Sequence, residues 1–351
     1  MVKKFRSLRA KPLSASLLLL LVSSLCLVLV PERLVSLRVF SAPSYQRPAR
    51  RTIAERSQPD PNAPPPRELL DFQARCNADG VLVCAGFDSP GDFSPAKWPA
   101  PGLYPAGDKV FRGKFDTAIK ASGAGSLRFD IPGYTGSNAA GYWRQSMEHN
   151  FGQGSTFYVQ FRQRFSKTMI SNKWVDTTWK QAIFHNERET CADVEITTHQ
   201  YYNDGFPTMY TNCGSRNLYS EQSPPMKLQQ GDYNCWYGNY NATDCFFYPV
   251  DQWITFYYQV SIGHWGGPDS AINAWVALDG KLYEQWIKMP NYRLDNDHPG
   301  NDYDTVTLLT YMTGKSDKID YPLASTWYDE LIISTRPIAP PTASGAQSSA
   351  K

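Results

Sequence analysis

Short runs of alternating apolar and polar residues recur along the chain and give it the pattern of a β protein. Because successive side chains of a strand point to opposite faces, each run has one face for a core and one face away from it. About ten such runs in one stretch predict two packed antiparallel sheets, an all-β sandwich or jelly roll. Asp279-Gly280 joins two of the runs in a predicted tight hairpin. The predicted strands are 126–132, 141–147, 155–165, 179–185, 192–199, 253–262, 272–280, 281–288, 305–312 and 327–334.

The N-terminal part of the chain differs from the rest in charge. Residues 1–66 carry 11 Lys and Arg against 3 Asp and Glu, and the remainder carries 24 against 30. Five of the basic residues precede an uncharged stretch from Pro12 to Pro31, which is the layout of a signal peptide or an uncleaved signal anchor. We therefore expect an extracytoplasmic protein, either secreted or tethered to a membrane. The acidic remainder gives no support for nucleic-acid binding, so we expect no nucleic-acid partner.

Composition divides the chain into four segments. Residues 1–42 form the predicted signal peptide or anchor, and residues 43–66, rich in Pro and Arg, form a predicted disordered linker. Residues 67–339 are predicted to fold as one jelly-roll domain, and residues 340–351 to be a disordered tail. A monomer is expected.

The predicted domain holds an even set of six cysteines, which predicts three disulfides in an oxidising compartment. Six cysteines allow fifteen pairings, among which proximity in sequence favours one set. No CxxC pair is present, so the sequence does not predict a zinc site. The favoured pairs are Cys76–Cys84, Cys191–Cys213 and Cys235–Cys245.

An acidic segment, residues 292–305, contains Asp295, Asp297, Asp302 and Asp304. Their oxygens could bind Ca²⁺, but the spacing is not that of an EF-hand, and a solvated acidic loop is the favoured interpretation. We therefore assign no metal and no other cofactor.

The polar faces of the predicted strands are rich in aromatic and planar polar side chains, and aromatic residues make up 14% of the sequence. Aromatic faces stack on sugar rings, while Arg, Gln and Asn bind hydroxyl and carboxylate groups. These faces therefore predict a groove whose partner is a polysaccharide. The predicted substrate-binding residues are Arg144, Asp193, Glu195, Tyr257, Gln259 and Trp275.

Three stretches resemble concanavalin A-like jelly rolls, a superfamily of polysaccharide lyases, glucanases and lectins: FDTAIKASGAGSLRFDIPG (115–133), WITFYYQVSIG followed by INAWVALDGK, and WYDELIISTRPI (327–338). Within it the chain is similar to the alginate-lyase and glucuronan-lyase type, which has an Arg-bearing strand, a Gln-Ile-His strand and a late strand with a Tyr. That order recurs as Arg144 or Arg162, then QAIFH, then Tyr311. The resemblance implies an exported lyase that cleaves a uronic-acid-containing glycan in a groove on the concave sheet.

β-Elimination from a uronic acid needs a group that neutralises the carboxylate, a base for the proton on C5 and an acid for the leaving oxygen. Gln181 and His185 are four apart on a predicted strand, so we expect both side chains on one face. We therefore predict His185 as base or electrostatic helper, with Gln181 and Arg162 neutralising the carboxylate. Tyr311 is the predicted acid or base. The alternative is that these residues are ordinary polar positions of strands.

Two other functions stay open at this point. Asp193 and Glu195 alternate on one predicted strand, and retaining glycosidases need two carboxylates about 5 Å apart. A laminarinase-like hydrolase would use them, but the laminarinase motif Glu-x-Asp-x-(x)-Glu lacks one carboxylate here. A non-catalytic carbohydrate-binding module would use the same aromatic groove without needing His185.

Overall fold

The computed structural model describes residues 65–96, 102–172, 174, 178–186, 195–201, 205–212, 227–228, 245–279, 281–296 and 300–342; for residues 178, 195, 197, 199–201, 210, 212 and 227–228 it describes the backbone only. The helices are α1 (Arg67–Cys76), a 3₁₀ turn (Pro90–Phe93) and α2 (Lys167–Ser171). The strands are β1 (Val81–Ala85), β2 (Gly102–Tyr104), β3 (Gly113–Asp116), β4 (Ser126–Ile131), β5 (Tyr142–Phe151), β6 (Thr156–Phe165), β7 (Thr178–His185), β8 (Glu195–Tyr201), β9 (Pro207–Asn212), β10 (Lys227–Leu228), β11 (Trp253–Ser261), β12 (Ser270–Leu278), β13 (Glu284–Tyr292), β14 (Tyr303–Met312) and β15 (Ala324–Ser334).

The strands form two antiparallel sheets. Sheet 1 has the order β13-β12-β11-β6-β15-β4-β3, with β1 also paired to β15. Sheet 2 has the order β10-β9-β8-β7-β14-β5-β2. Strands far apart in sequence, such as β6 and β15 or β5 and β14, lie side by side, so the chain repeatedly crosses from one sheet to the other. The predicted all-β jelly roll of two packed antiparallel sheets is confirmed.

The core lies between the two sheets and is built by the apolar faces that the alternation predicts. Phe157 and Phe161 of β6 are fully buried. Ring contacts cross the core from sheet to sheet. The ring centroid of Phe184 in β7 lies 5.9 Å from that of Phe157 and 5.3 Å from that of Tyr258 in β11. Aromatic pairs of this kind stabilise a core beyond the area they bury. The two sheets therefore hold their outward faces in fixed positions.

The outward face of sheet 1 is covered by α1 and by the chain after β15. Phe72 of α1 and Ile338 are buried against Tyr257 and Ile332 in a second, smaller apolar cluster. A disulfide joins Cys76 at the end of α1 to Cys84 in β1, which confirms the first predicted pair.

Several predictions fall outside the described residues. They concern the N-terminal signal or anchor, the linker to residue 64, and the residues Cys191, Cys213, Cys235, Asp193 and Asp297. Cys245 is disulfide-bonded, and its partner lies outside them as well. In the part of the chain that the structure describes, no helix is long and apolar enough to span a membrane.

Candidate active-site groove

The outward face of sheet 2 opens into a cavity of about 350 Å³. Strands β5, β7 and β14 form its floor, since seven of its eight lining residues belong to them. The eighth is Asn138, from the loop before β5. The lining residues are Asn138, Tyr142, Arg144, Lys180, Ile183, Thr307, Leu309 and Tyr311.

Strand register explains why these residues share one face. β14 lies between β5 and β7, and residues paired across neighbouring strands point to the same side of a sheet. On β14 the residues Thr307, Leu309 and Tyr311 alternate with core residues, as the sequence predicts. The cross-strand pairs are Thr307 with Arg144 and Ile183, Leu309 with Tyr142, and Tyr311 with Lys180.

Arg144 lies against a stacked pair of tyrosine rings. Its guanidinium carbon lies 5.3 Å from the ring centroids of both Tyr104 and Tyr142, and these two rings stack on each other at 4.9 Å. Cation–π contacts of this kind fix the direction of a guanidinium without neutralising its charge. Arg144, predicted to bind substrate, therefore brings a positive charge to the cavity while only 5% exposed.

Lys180 and Tyr311 form the second charged feature of the groove. The Lys180 ammonium nitrogen lies 5.5 Å from the centroid of the Tyr311 ring. Tyr311 is one of the predicted catalytic residues and Lys180 is not. Together with Arg144 they surround the cavity with two cations and one phenol.

His185 lies beside the groove but is itself fully buried. Its Nδ1–H donates to the carbonyl oxygen of Asn186, since a carbonyl can only accept. Nε2 therefore accepts from the Thr307 hydroxyl at 2.7 Å. Burial, together with the nearby Arg144, lowers the pKa of His185 to about 3. A neutral His185 thus holds the Thr307 oxygen as a hydrogen-bond acceptor for the groove.

The expectation that Gln181 shares a face with His185 is wrong, because β7 contains a bulge. Between Lys180 and Ala182 the register against both neighbouring strands shifts. Gln181 consequently points into the core, where its amide donates to Gln163 of β6 at 2.5 Å. Tyr328 from sheet 1 donates to the carbonyls of Gln181 and Leu309, at 2.9 and 2.8 Å, which satisfies backbone groups at the irregularity.

Arg162 is also displaced from the predicted group, since it belongs to sheet 1. It extends from the outward face of β6, and both sheets lie between it and the cavity. Its guanidinium pairs with Glu330, at 3.4 Å, and with Asp279. A side chain so placed cannot neutralise a carboxylate bound in the groove, so the predicted role of Arg162 in the same site as Tyr311 is wrong.

Tyr257, Gln259 and Trp275 stand on the outward face of sheet 1 as well, so their predicted grouping with Arg144 is wrong. The Tyr257 ring stacks on the Trp275 ring, with 5.2 Å between the ring centroids. The Tyr257 hydroxyl oxygen accepts a hydrogen bond from the backbone N–H of Ile338. The alternation predicts correctly that these residues leave the core. It cannot say which of the two sheets carries them.

The remaining site predictions concern carboxylates. Glu195 is paired with His185 across β7 and β8, but its side chain is not among those described. Within the predicted acidic segment, Asp295 accepts from the backbone N–H of Asn296, and Asp304 accepts from Thr305. Over the described residues no three potential metal ligands come together.

Sequence reasoning missed Lys180, Thr307, Tyr142 and Asn138. A signal for Lys180 exists: the core residues Trp179, Ala182 and Phe184 are spaced by three and then by two. Strict alternation would space them evenly, so the extra residue indicates a bulge and moves Lys180 to the groove face.

Comparison with known proteins gives similarity at the level of structure. The sequence matches no protein-family model and no curated protein. Among solved structures, an endo-β-1,4-glucuronan lyase from Trichoderma reesei is 11% identical with a TM-score of 0.48, covering 73% of this chain and 96% of its own. A marine PL-14 alginate lyase from Aplysia kurodai is 13% identical with a TM-score of 0.49, covering 73% and 99%. The cellulose-induced protein Cip1 is 14% identical with a TM-score of 0.42, covering 74% and 100%. The lyase types that the sequence resembles are thus also found among its structural neighbours.

Proposed function

We propose that this protein is a polysaccharide lyase that cleaves a uronic-acid-containing glycan by β-elimination. One observation carries the proposal: Arg144 and Lys180 bring two positive charges to the cavity that Tyr311 lines. Among the described lining residues there is no carboxylate. The local field therefore favours an anionic ligand, although the chain after residue 66 is acidic overall.

In the proposed reaction the uronate carboxylate binds between Arg144 and Lys180. Their charges stabilise the negative charge that develops on the carboxylate as the proton leaves C5. Tyr311 carries that proton: its phenolate oxygen accepts it from C5, and the phenol so formed gives it to the glycosidic oxygen as the C4–O bond breaks. The products are a new reducing end and a 4,5-unsaturated uronate, and Tyr311 returns to its starting state.

His185 takes a different role from the one the sequence predicts. With no exposed surface and hydrogen bonds at both ring nitrogens, it does not reach a proton on the substrate. We assign it a positioning role, in which it orients the Thr307 hydroxyl so that the oxygen accepts from a sugar hydroxyl. The base function passes to Tyr311.

The test is a panel of polymers: polyglucuronate, polymannuronate, polyguluronate and a neutral β-glucan. Ultraviolet absorbance reports unsaturated ends and a reducing-sugar assay reports all new ends. We expect both signals, in equal amounts, on at least one polyuronate. Reducing ends without absorbance would instead indicate a hydrolase using carboxylates such as Asp193 and Glu195. Binding without either signal would indicate a carbohydrate-binding module.

Export is part of the same proposal, since a polymer is met outside the cytoplasm. The Cys76–Cys84 disulfide supports an oxidising compartment. Fractionation of the producing cell, with and without residues 1–42, tests it.

A further inference from the structure

A rigid loop stands at one edge of the groove and displays an exposed aromatic ring. It runs from Pro132 to Ala139, between β4 and β5, and its residue Asn138 lines the cavity. Tyr134, four residues earlier, is 64% exposed. Four residues span at most about 14 Å, so the Tyr134 backbone lies within reach of a chain that leaves the groove.

The loop is fastened to the segment that follows groove strand β14. Met312 N–H donates to the carbonyl of Ser137 at 2.9 Å, and Tyr134 N–H donates to the carbonyl of Ile319 at 2.8 Å. Lys315, only 4% exposed, donates to the Thr135 hydroxyl at 2.9 Å and to the Thr135 carbonyl. These bonds tie the position of the loop to β14, which carries Tyr311.

The backbone of the loop admits few alternatives. A Cβ on Gly133 would come within 2.7 Å of the Tyr321 backbone nitrogen, so this close approach requires glycine. Tyr134 has a φ of 49°, in the left-handed region that favours Gly or Asn. A large exposed ring in that conformation costs stability and buries little surface, and such strain is concentrated at functional sites.

From these observations we infer that Tyr134 is a sugar-stacking platform, forming a distal subsite for the glycan chain that extends from the groove. The inference rests on the proposed function and goes beyond it by assigning a residue that selects long chains over short ones. Lys315 acts as a positioning residue, because it holds Thr135 next to the platform. Because the loop backbone is held in place before binding, little further backbone entropy is lost when a sugar packs on the ring.

The experiment compares three variants on a polyuronate and on a uronate trisaccharide. Tyr134→Asn removes the ring and tolerates the left-handed backbone, Tyr134→Trp keeps a ring, and Leu282→Ala changes a 90% exposed residue between β12 and β13. For Tyr134→Asn we expect KM on the polymer to rise about fivefold to tenfold, with kcat unchanged. For Tyr134→Asn, KM on the trisaccharide should stay within about twofold of wild type. For Tyr134→Trp and Leu282→Ala, KM on either substrate should stay within about twofold of wild type.

An unchanged polymer KM for folded Tyr134→Asn would overturn the inference, as would an equal rise on polymer and trisaccharide. Thermal melting checks that the variant is folded. If the wild-type protein cleaves no polyuronate, it is the proposed function that fails. Calorimetric titration of the same polymer into wild type and Tyr134→Asn then tests separately whether Tyr134 binds the glycan. Equal affinities of the two proteins would reject the inference.

Discussion

Arg144 and Arg162 lie on successive strands, point outward, and are each 5% exposed, yet they have opposite surroundings. Arg162 is neutralised by Glu330 and Asp279 on the face that α1 covers. Arg144 lies against a stacked pair of tyrosine rings and lines an open cavity. Two arginines of equal exposure thus differ in what surrounds them: a buried ion pair under a covering helix fastens Arg162 to the fold, whereas Arg144 lines a cavity.

The two faces differ in what they stabilise as well. On sheet 1, Arg75 of α1 bonds to Gln160 at 2.5 Å and to Glu330, so the buried charges fasten the helix to the sheet. Glu330 has a φ of 50° and lies in a β15 bulge, a strained position that this pairing maintains. On sheet 2 the charges face the cavity. The first face therefore supports the fold, and the second opens to a cavity.

The largest effect should come from the groove phenol. Tyr311→Phe removes the proton carrier while keeping the ring beside Lys180, so we expect the elimination rate to fall about 10³-fold. The matched change on sheet 1, Tyr257→Phe, should leave the rate unchanged. Ultraviolet-monitored initial rates on a polyuronate measure both, and equal rates for the two variants would remove Tyr311 from the mechanism.

The second prediction is that replacing each arginine by alanine has a different effect on activity. Arg144→Ala removes one of the charges that stabilise the transition state, so kcat/KM should fall about 10²-fold to 10³-fold. Arg162→Ala should keep wild-type kcat/KM per folded molecule. The same kinetic assay decides, and a comparable loss in Arg162→Ala would show that the two faces are not independent.

For stability we expect the opposite order: Arg162→Ala should be more destabilising than Arg144→Ala. Arg162→Ala leaves carboxylates in a buried cluster with one cation fewer, so the free energy of unfolding should fall by about 3 kcal/mol. Arg144→Ala removes cation–π contacts with two tyrosine rings, and the loss should be about 1 kcal/mol. Urea denaturation of both variants provides the measurement. A greater loss for Arg144→Ala would contradict the assignment of the two faces.

The last prediction concerns His185 and the dependence of stability on pH. Its pKa is about 3 in the folded protein and its ordinary value is 6.5, so between these values the unfolded chain binds more protons. Stability from the neutral ring is complete above pH 6.5 and is lost as pH falls toward 3. Between pH 7 and pH 5 the wild type should lose about 2 kcal/mol more than His185→Gln, which has no titrating ring. Urea denaturation at pH 7 and pH 5 measures the free energy of unfolding of both proteins. If the two lost the same amount between these pH values, His185 would not be buried as a neutral base.

The sequence predicts the architecture well and the site only in part. Alternation identifies the core faces of β6, of β11 and of β14 from Val306 onward, because each of these stretches keeps a period of two. It misplaces Gln181, since a bulge at a single residue reverses the faces on one side of it. It also groups Arg162 and Trp275 with the groove residues, because a one-dimensional pattern separates inside from outside but does not say which sheet a strand joins. Arg144 and Tyr311, the two predicted residues that line the cavity, lie on neighbouring strands, β5 and β14, which are brought together by long-range pairing.

The most direct test compares one polyuronate before and after its carboxyl groups are reduced to alcohols. The quantity measured is the initial rate at which the wild-type protein produces ultraviolet-absorbing ends and reducing ends. We predict equal rates of both on the acidic polymer and neither on the reduced one, since elimination needs the carboxylate that Arg144 and Lys180 bind. Cleavage of the reduced polymer, or new reducing ends without absorbance on the acidic one, would contradict a uronate lyase.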